Sequence, residues 1–124
     1  MSELKDLNTE VGVWSVFEIE SEKVKYQEEG ASLVFDVKKK SIHGRTGCNF
    51  YNATFNNIST QSNSMTINDG MMTRMYCLDD QLETRLLETL KKVATFDVNG
   101  DTLSLNDADG KAVVRLQIVQ RPQE

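Results

Sequence analysis

Apolar and polar residues alternate along most of this chain, and the alternation gives way to another period in one place. Leu33, Phe35 and Val37 alternate with Ser32, Asp36 and Lys38, and Tyr51, Ala53 and Phe55 alternate with Asn52, Thr54 and Asn56. A period of two puts each apolar set on one face of an extended strand. Val11 to Glu20 mixes β-branched and aromatic residues. That composition predicts a strand with Trp14 and Val16 on one face and, if a bulge intervenes, Val13, Phe17 and Ile19 on the other. A third run ends at Ile42, Met65 and Ile67 predict a short strand, Asn68-Asp69-Gly70 is a turn signal, and Met71 to Cys77 predicts another strand. The period changes at Leu78. Leu82, Leu86, Leu90 and Val93 fall at helical spacing with Leu87 beside them, while Glu83, Arg85, Glu88, Lys91 and Lys92 cover the opposite face. Asp80 is the expected N-cap, and Glu83, three residues on, completes a capping box. Alternation then returns through Phe96 and Val98, Leu103 and Leu105, and Ala112, Val114, Leu116 and Ile118, punctuated by the turns Asn99-Gly100 and Asp109-Gly110.

These elements predict an α+β domain, mainly antiparallel β, with one amphipathic helix over about residues 80–94 packed on the sheet. One helix cannot cover both faces of a sheet this long, so the sheet is expected to curl into a barrel-like form. A chain of 124 residues supports one core. The expected organisation is a polar leader over residues 1–10 and a single domain over 11–121. The net charge of −5, with acidic residues spread from Glu3 to Glu124, leaves no basic stripe for a phosphate backbone, so nucleic acid is not an expected partner. Lys38-Lys39-Lys40 reads as a solvated turn. No apolar stretch has the length of a membrane span, and the N-terminus lacks the basic start and apolar core of a signal peptide. A monomer is the expected state.

The material for catalysis is thin. His43 is the sole histidine; it lies five positions from Cys48 with no third orienting group evident. The pairs Asp79-Asp80 and Glu28-Glu29 suit caps and solvated charge, and neither a phosphate-cradling loop nor zinc-ligand spacing occurs. No catalytic residue or cofactor is therefore assigned. Asn106 to Gly110 has the look of a calcium loop but fails on register. With Gly110 at the obligatory glycine, Leu105 and Leu116 would have to supply the first and the bidentate ligand. Met71, Met75 and Cys77 share one face of their strand, and thioether with thiolate suits a soft ion such as Cu(I); a methionine-lined core strand is the plainer reading. Asn52-Ala53-Thr54 and Asn57-Ile58-Ser59 are glycosylation sequons that matter only in a eukaryotic secretory pathway.

Cys48 and Cys77 are the only cysteines, and Gly44 and Gly47 bracket the first, which predicts a backbone bent into positive φ there. Two alternatives stand for the pair. A disulfide would add roughly 3–4 kcal/mol by closing the intervening loop; two reduced, buried thiols would act as small hydrophobes.

The run Ile42-His43-Gly44-Arg45-Thr46-Gly47-Cys48-Asn49, then Thr73-Arg74-Met75-Tyr76-Cys77, then the leucine-rich helix and Leu103-Ser104-Leu105 before Asp109-Gly110-Lys111, resembles the META domain, also called HslJ-like. The resemblance runs from about Trp14 to Leu116 and rests on Gly44, Gly47, Asn49, Thr73 and Met75 with the two cysteines. One departure is Asn52-Ala53-Thr54, where the family often has a glycine. The resemblance implies a curled antiparallel sheet with one helix. It also implies that the two cysteine segments are neighbours, with the Cys48 and Cys77 Cα atoms within about 7 Å. An envelope protein would then hold the bond and a cytosolic one two adjacent thiols. The family is associated with the cell envelope, stress response and secretion, and implies no general catalysis. Many bacterial members are lipoproteins with a signal upstream of the domain. The implied location is thus the envelope, periplasmic or lipid-anchored, if such a signal has been trimmed, and the cytoplasm otherwise. The expected function is a non-enzymatic binding or stress-response module for an apolar ligand or an envelope protein. Trp14, Phe35, Tyr51 and Phe55 are the candidates to line a groove between sheet and helix; soft-metal handling is the alternative.

Overall fold

A computed structural model describes residues 12–20, 22–23, 31–46, 49–59, 62–73 and 81–120. Among these, ten strands and one helix follow in the order β1 (Gly12–Ile19), β2 (Glu22–Lys23), β3 (Ser32–Asp36), β4 (Ser41–Arg45), β5 (Phe50–Asn56), β6 (Thr66–Ile67), β7 (Met71–Met72), α1 (Gln81–Leu90), β8 (Thr95–Asn99), β9 (Thr102–Asn106) and β10 (Ala112–Gln120). Every strand pairing is antiparallel, along the path β6-β5-β4-β3-β1-β10-β9-β8, with β2 on β1 and β7 on β5. Mostly antiparallel sheet with one helix is the fold class that the alternation predicts. The path itself is open, so the expected barrel-like closure does not follow from it. A single bridge, Ser64 to Thr95, touches β8 to the segment ahead of β6.

The alternating sets form the core. Leu33 and Phe35 of β3, Ile42 of β4, Tyr51, Ala53 and Phe55 of β5, Phe96 of β8 and Leu103 and Leu105 of β9 are all buried. Phe35 and Phe55 meet edge to face with centroids 6.3 Å apart, the arrangement that ring quadrupoles favour. Trp14 and Val16 are buried in β1 as expected, and a bulge lies between Val16 and Glu18. Its effect differs from the expectation. The extra residue is Phe17, and it returns Ile19 to the same buried face as Trp14 and Val16.

Three turns follow from their residues. Asp36 Oδ1 accepts from the Lys38 and Lys39 amides, which leaves both lysine side chains exposed. Gly100, at φ +63°, occupies the first position of the two-residue loop between Asn99 and Thr102. Asp107 Oδ1 accepts from the Asp109 and Lys111 amides and closes the β9–β10 hairpin. The 68–70 turn does not make a hairpin. β6 and β7 both pair with the same edge of β5, Phe55 with Ile67 and Tyr51 with Met72, so Asn68-Asp69-Gly70 is an excursion from one interrupted strand.

Gly44 corrects the expectation of positive φ. It lies within the β4 ladders, opposite Leu33 and Tyr51, and its requirement is space: a Cβ there would stand 2.0 Å from the Ser32 carbonyl oxygen. Asn52-Ala53-Thr54, where the family often has a glycine, is regular strand within β5.

The helix is shorter than expected, ending at Leu90. Lys92 and Val93 amides donate to the Thr89 and Leu90 carbonyls, and this tightened turn buries Val93 without helical backbone. Leu86 and Leu90 enter the core, and Leu87 packs at its margin. Arg85 is not simply solvated: its Nη2 donates to the Ile19 carbonyl at 3.3 Å and pairs with Glu22 at 3.2 Å. Lys92 pairs with Glu20 at 3.4 Å. The helix is thus tied along its length to the end of β1.

Candidate functional site

The N-terminal end of α1 carries a buried polar cluster. Glu83, expected on the solvated face, is only 6% exposed. Its position explains why: Glu83 stands at i with Leu86, Leu87 and Leu90 at i+3, i+4 and i+7, and so shares the stripe that faces the core. Asn49, just ahead of β5, donates from Nδ2 to both Glu83 oxygens, at 3.0 and 3.1 Å. Thr46, just past β4, donates from Oγ1 to Glu83 Oε1 at 3.1 Å. The Thr46 amide in turn donates to the Asn49 carbonyl at 3.0 Å, closing the turn between β4 and β5. On its other side Asn49 Oδ1 accepts from Thr73 Oγ1 at 2.9 Å, and Thr73 Oγ1 accepts from the Phe50 amide at 3.0 Å. Two motif residues 24 positions apart are therefore in direct contact, and both reach the helix through one carboxylate. Hydrogen bonds to a buried charge contribute roughly 1.5–3 kcal/mol each, so this cluster fastens helix to sheet. Its donors and acceptors are matched, which makes it a structural latch and leaves little for a ligand to do.

The other end of α1 is open. A cleft of about 370 Å³ lies between the 67–72 segment and the C-terminal half of the helix. Its apolar lining is Ile67, Met72, Leu87 and Leu90; its polar lining includes Tyr51, Asp69 and Lys91. Gly70 lets the excursion lie close on β5, since a Cβ there would come within 2.8 Å of the Tyr51 ring. The Tyr51 residue is 5% exposed; among the described residues no group hydrogen-bonds its hydroxyl, which is not one of their buried unpartnered atoms and so opens on the cleft. Burial pushes the phenol above its ordinary pKa, and the negative charge of Asp69 pushes the same way. The hydroxyl thus stays protonated as a donor at the cleft.

Of the four groove candidates, Tyr51 lines the cleft, while Trp14, Phe35 and Phe55 lie in the closed core at 2% exposure or less. His43 is exposed on β4 between Val34 and Asn52. Of the soft-metal alternative, Met71 is 80% exposed; Met75 and Cys77 lie outside the described residues. So do Gly47, Cys48, the Asp80 cap and the polar leader, and with them the question of a Cys48–Cys77 bond. Asn52 of the first sequon is exposed; Asn57 of the second donates to the Ser62 and Ser64 carbonyls. Thr46 and Glu83 were not foreseen as partners of the motif. The i, i+3, i+4, i+7 spacing of Glu83 with three leucines was the available signal.

The fold and latch define a class: among the described residues, an antiparallel-sheet domain whose one helix is pinned at its N-terminal end by Thr46 and Asn49, with Thr73 bonded behind Asn49. The family model of the META domain matches residues 5–120, and the chain belongs to that family. Similar solved structures share the fold. An NMR structure aligns with a TM-score of 0.69 at 22% identity, covering 94% of this chain and 95% of that one. An NMR structure of a protein from Burkholderia xenovorans aligns with a TM-score of 0.64 at 17% identity, covering 97% and 87%. A crystal structure of a DUF4847 family protein from Bacteroides vulgatus aligns with a TM-score of 0.50 at 14% identity, covering 77% and 62%. Comparison with curated proteins finds no match.

Proposed function

We propose that this META-domain protein is a non-enzymatic binding module whose ligand occupies the cleft between the 67–72 segment and the end of α1. The observation that carries the reading is Tyr51. Its ring is packed in the core, while its hydroxyl, which takes no hydrogen bond from the described residues and is not among their buried unpartnered atoms, opens on the cleft as an available donor. A small, partly apolar ligand with one hydrogen-bond acceptor would complete it. The cleft volume of 370 Å³ falls at the small end of the about 300–1,000 Å³ typical of small-molecule sites.

The test is a fragment screen by amide chemical shifts on the wild type and on Leu87→Trp, which fills the cleft. Apolar fragments should move resonances of residues 67–72 and 87–91 in the wild type and lose their effect in the variant. Shifts that map elsewhere, or survive Leu87→Trp, would refute the cleft as the site. An envelope location and a stress-response role belong to the same proposal, with the sheet curled around the helix to form the cleft. Reading the frame upstream of Met1 for a signal and lipidation cysteine decides the compartment. One observation favours a second reading, soft-metal handling: the Met71 thioether stands in solvent. Titration with Cu(I) in reducing buffer separates the two, because only a soft-metal site binds stoichiometrically.

A further inference from the structure

The charges at the cleft are of opposite sign and stand on separate elements. Asp69 sits on the excursion from the β5 edge, and Lys91 follows directly on the last residue of α1. Both line the cleft, both are exposed, and among the described residues neither has an ion-pair partner, including each other. Their neighbours behave differently. Arg85 and Lys92, on and just after the same helix, are each engaged by a glutamate, Glu22 of β2 and Glu20 just past β1. The same cleft has an apolar lining in which Leu90 and Ile67 are buried at 2% and 9% exposure.

We infer that the ligand is a small zwitterion with an apolar tail, of the size and chemistry of a free branched-chain amino acid; this rests on the cleft being the binding site. Its ammonium faces Asp69, its carboxylate faces Lys91, and its tail lies on Leu87, Leu90 and Ile67. A simple amine would meet Lys91 as a like charge, and a simple carboxylate would meet Asp69 as one. Only a molecule carrying both ends gains at both.

Three probes share one tail and differ in charge: L-leucine, N-acetyl-L-leucine, which lacks the ammonium, and L-leucinamide, which lacks the carboxylate. Titrations followed by amide shifts should show leucine binding about fivefold more tightly than either analogue, the scale of one exposed charge pair. Asp69→Asn should remove the discrimination against N-acetyl-leucine, and Lys91→Met that against leucinamide, each without changing the other. Both substitutions are at exposed positions, and an unchanged spectrum elsewhere confirms that the variants fold. Equal binding of all three probes, with shifts still at residues 67–72 and 87–91, would overturn the zwitterion while leaving the cleft as a site. Absence of leucine binding at millimolar concentration would also overturn it, the cleft then being decided by the Leu87→Trp screen alone. Shifts that map outside the cleft would overturn both.

Discussion

At the N-terminal end of α1 a buried carboxylate receives three hydrogen bonds from two side chains of the β4–β5 turn, and the amide that supplies two of them is itself held by Thr73. At the C-terminal end the hydroxyl of the packed Tyr51 ring receives none from the described residues, and the charges that line the cleft with it, Asp69 and Lys91, have no ion-pair partner among them. The same helix therefore carries one finished polar site and one unfinished one, about two turns apart. The difference separates two reasons for a polar residue to be where it is. Asn49 and Thr73, on which the sequence resemblance rests, are consumed by the fold. The groups left available to a ligand lie in segments without a motif.

The largest effect expected is at the finished end. Asn49→Ala removes both amide bonds to the Glu83 carboxylate and leaves Thr73 without its acceptor, so it should cost roughly 3–5 kcal/mol in urea denaturation, the scale of stranding a buried charge. A loss below about 1 kcal/mol would show that the latch contributes little. Leu86, fully buried between the two ends, should cost about 2–5 kcal/mol when cut to alanine, against about 1 kcal/mol for Arg85→Ala, whose contacts are partly exposed. Gly44 backs the same region, opposite Tyr51 in the β4–β5 ladder. Gly44→Ala drives a methyl into the Ser32 carbonyl and should cost about 1–3 kcal/mol or more, read from the shift in thermal midpoint.

A smaller effect tests the unfinished end through pH. The Tyr51 pKa is raised in the folded protein above the ordinary 10.0, so its contribution to stability is fully present below that value and is lost as pH rises through the folded value. The wild type should lose stability with rising alkalinity faster than Tyr51→Phe, by at most about 1.4 kcal/mol per pH unit for one group. Parallel slopes for the two proteins would show that the phenol is not held in the environment described.

Much of this fold is legible in the chain. Leu33-Phe35 and Tyr51-Ala53-Phe55 declare their strands and inward faces by strict alternation, and the Asn99-Gly100 and Asp109-Gly110 turns declare hairpins, because both signals are local. The helix is legible for the same reason, with Leu86 and Leu90 on its buried stripe. The burial of Glu83 is not legible, because a capping-box pattern and a charged side chain both suit solvent, whereas its partners Thr46 and Asn49 come from a turn 34 or more residues earlier. Asn68-Asp69-Gly70 reads as a turn because it has the chemistry of one; that both flanking strands pair with β5 depends on non-local ladders. The cleft needs three segments to meet, Tyr51, 67–72 and 87–91, and no local pattern encodes that meeting.

The contrast between the two ends is tested most directly by one pair of isosteric substitutions measured side by side in urea at neutral pH. Glu83→Gln exchanges a carboxylate oxygen for an amide that faces the Asn49 donor, and Tyr51→Phe removes only the hydroxyl. The account predicts a loss of about 1–3 kcal/mol for Glu83→Gln and a change within about 0.5 kcal/mol, in either direction, for Tyr51→Phe. Equal losses, or a neutral Glu83→Gln beside a costly Tyr51→Phe, would contradict it.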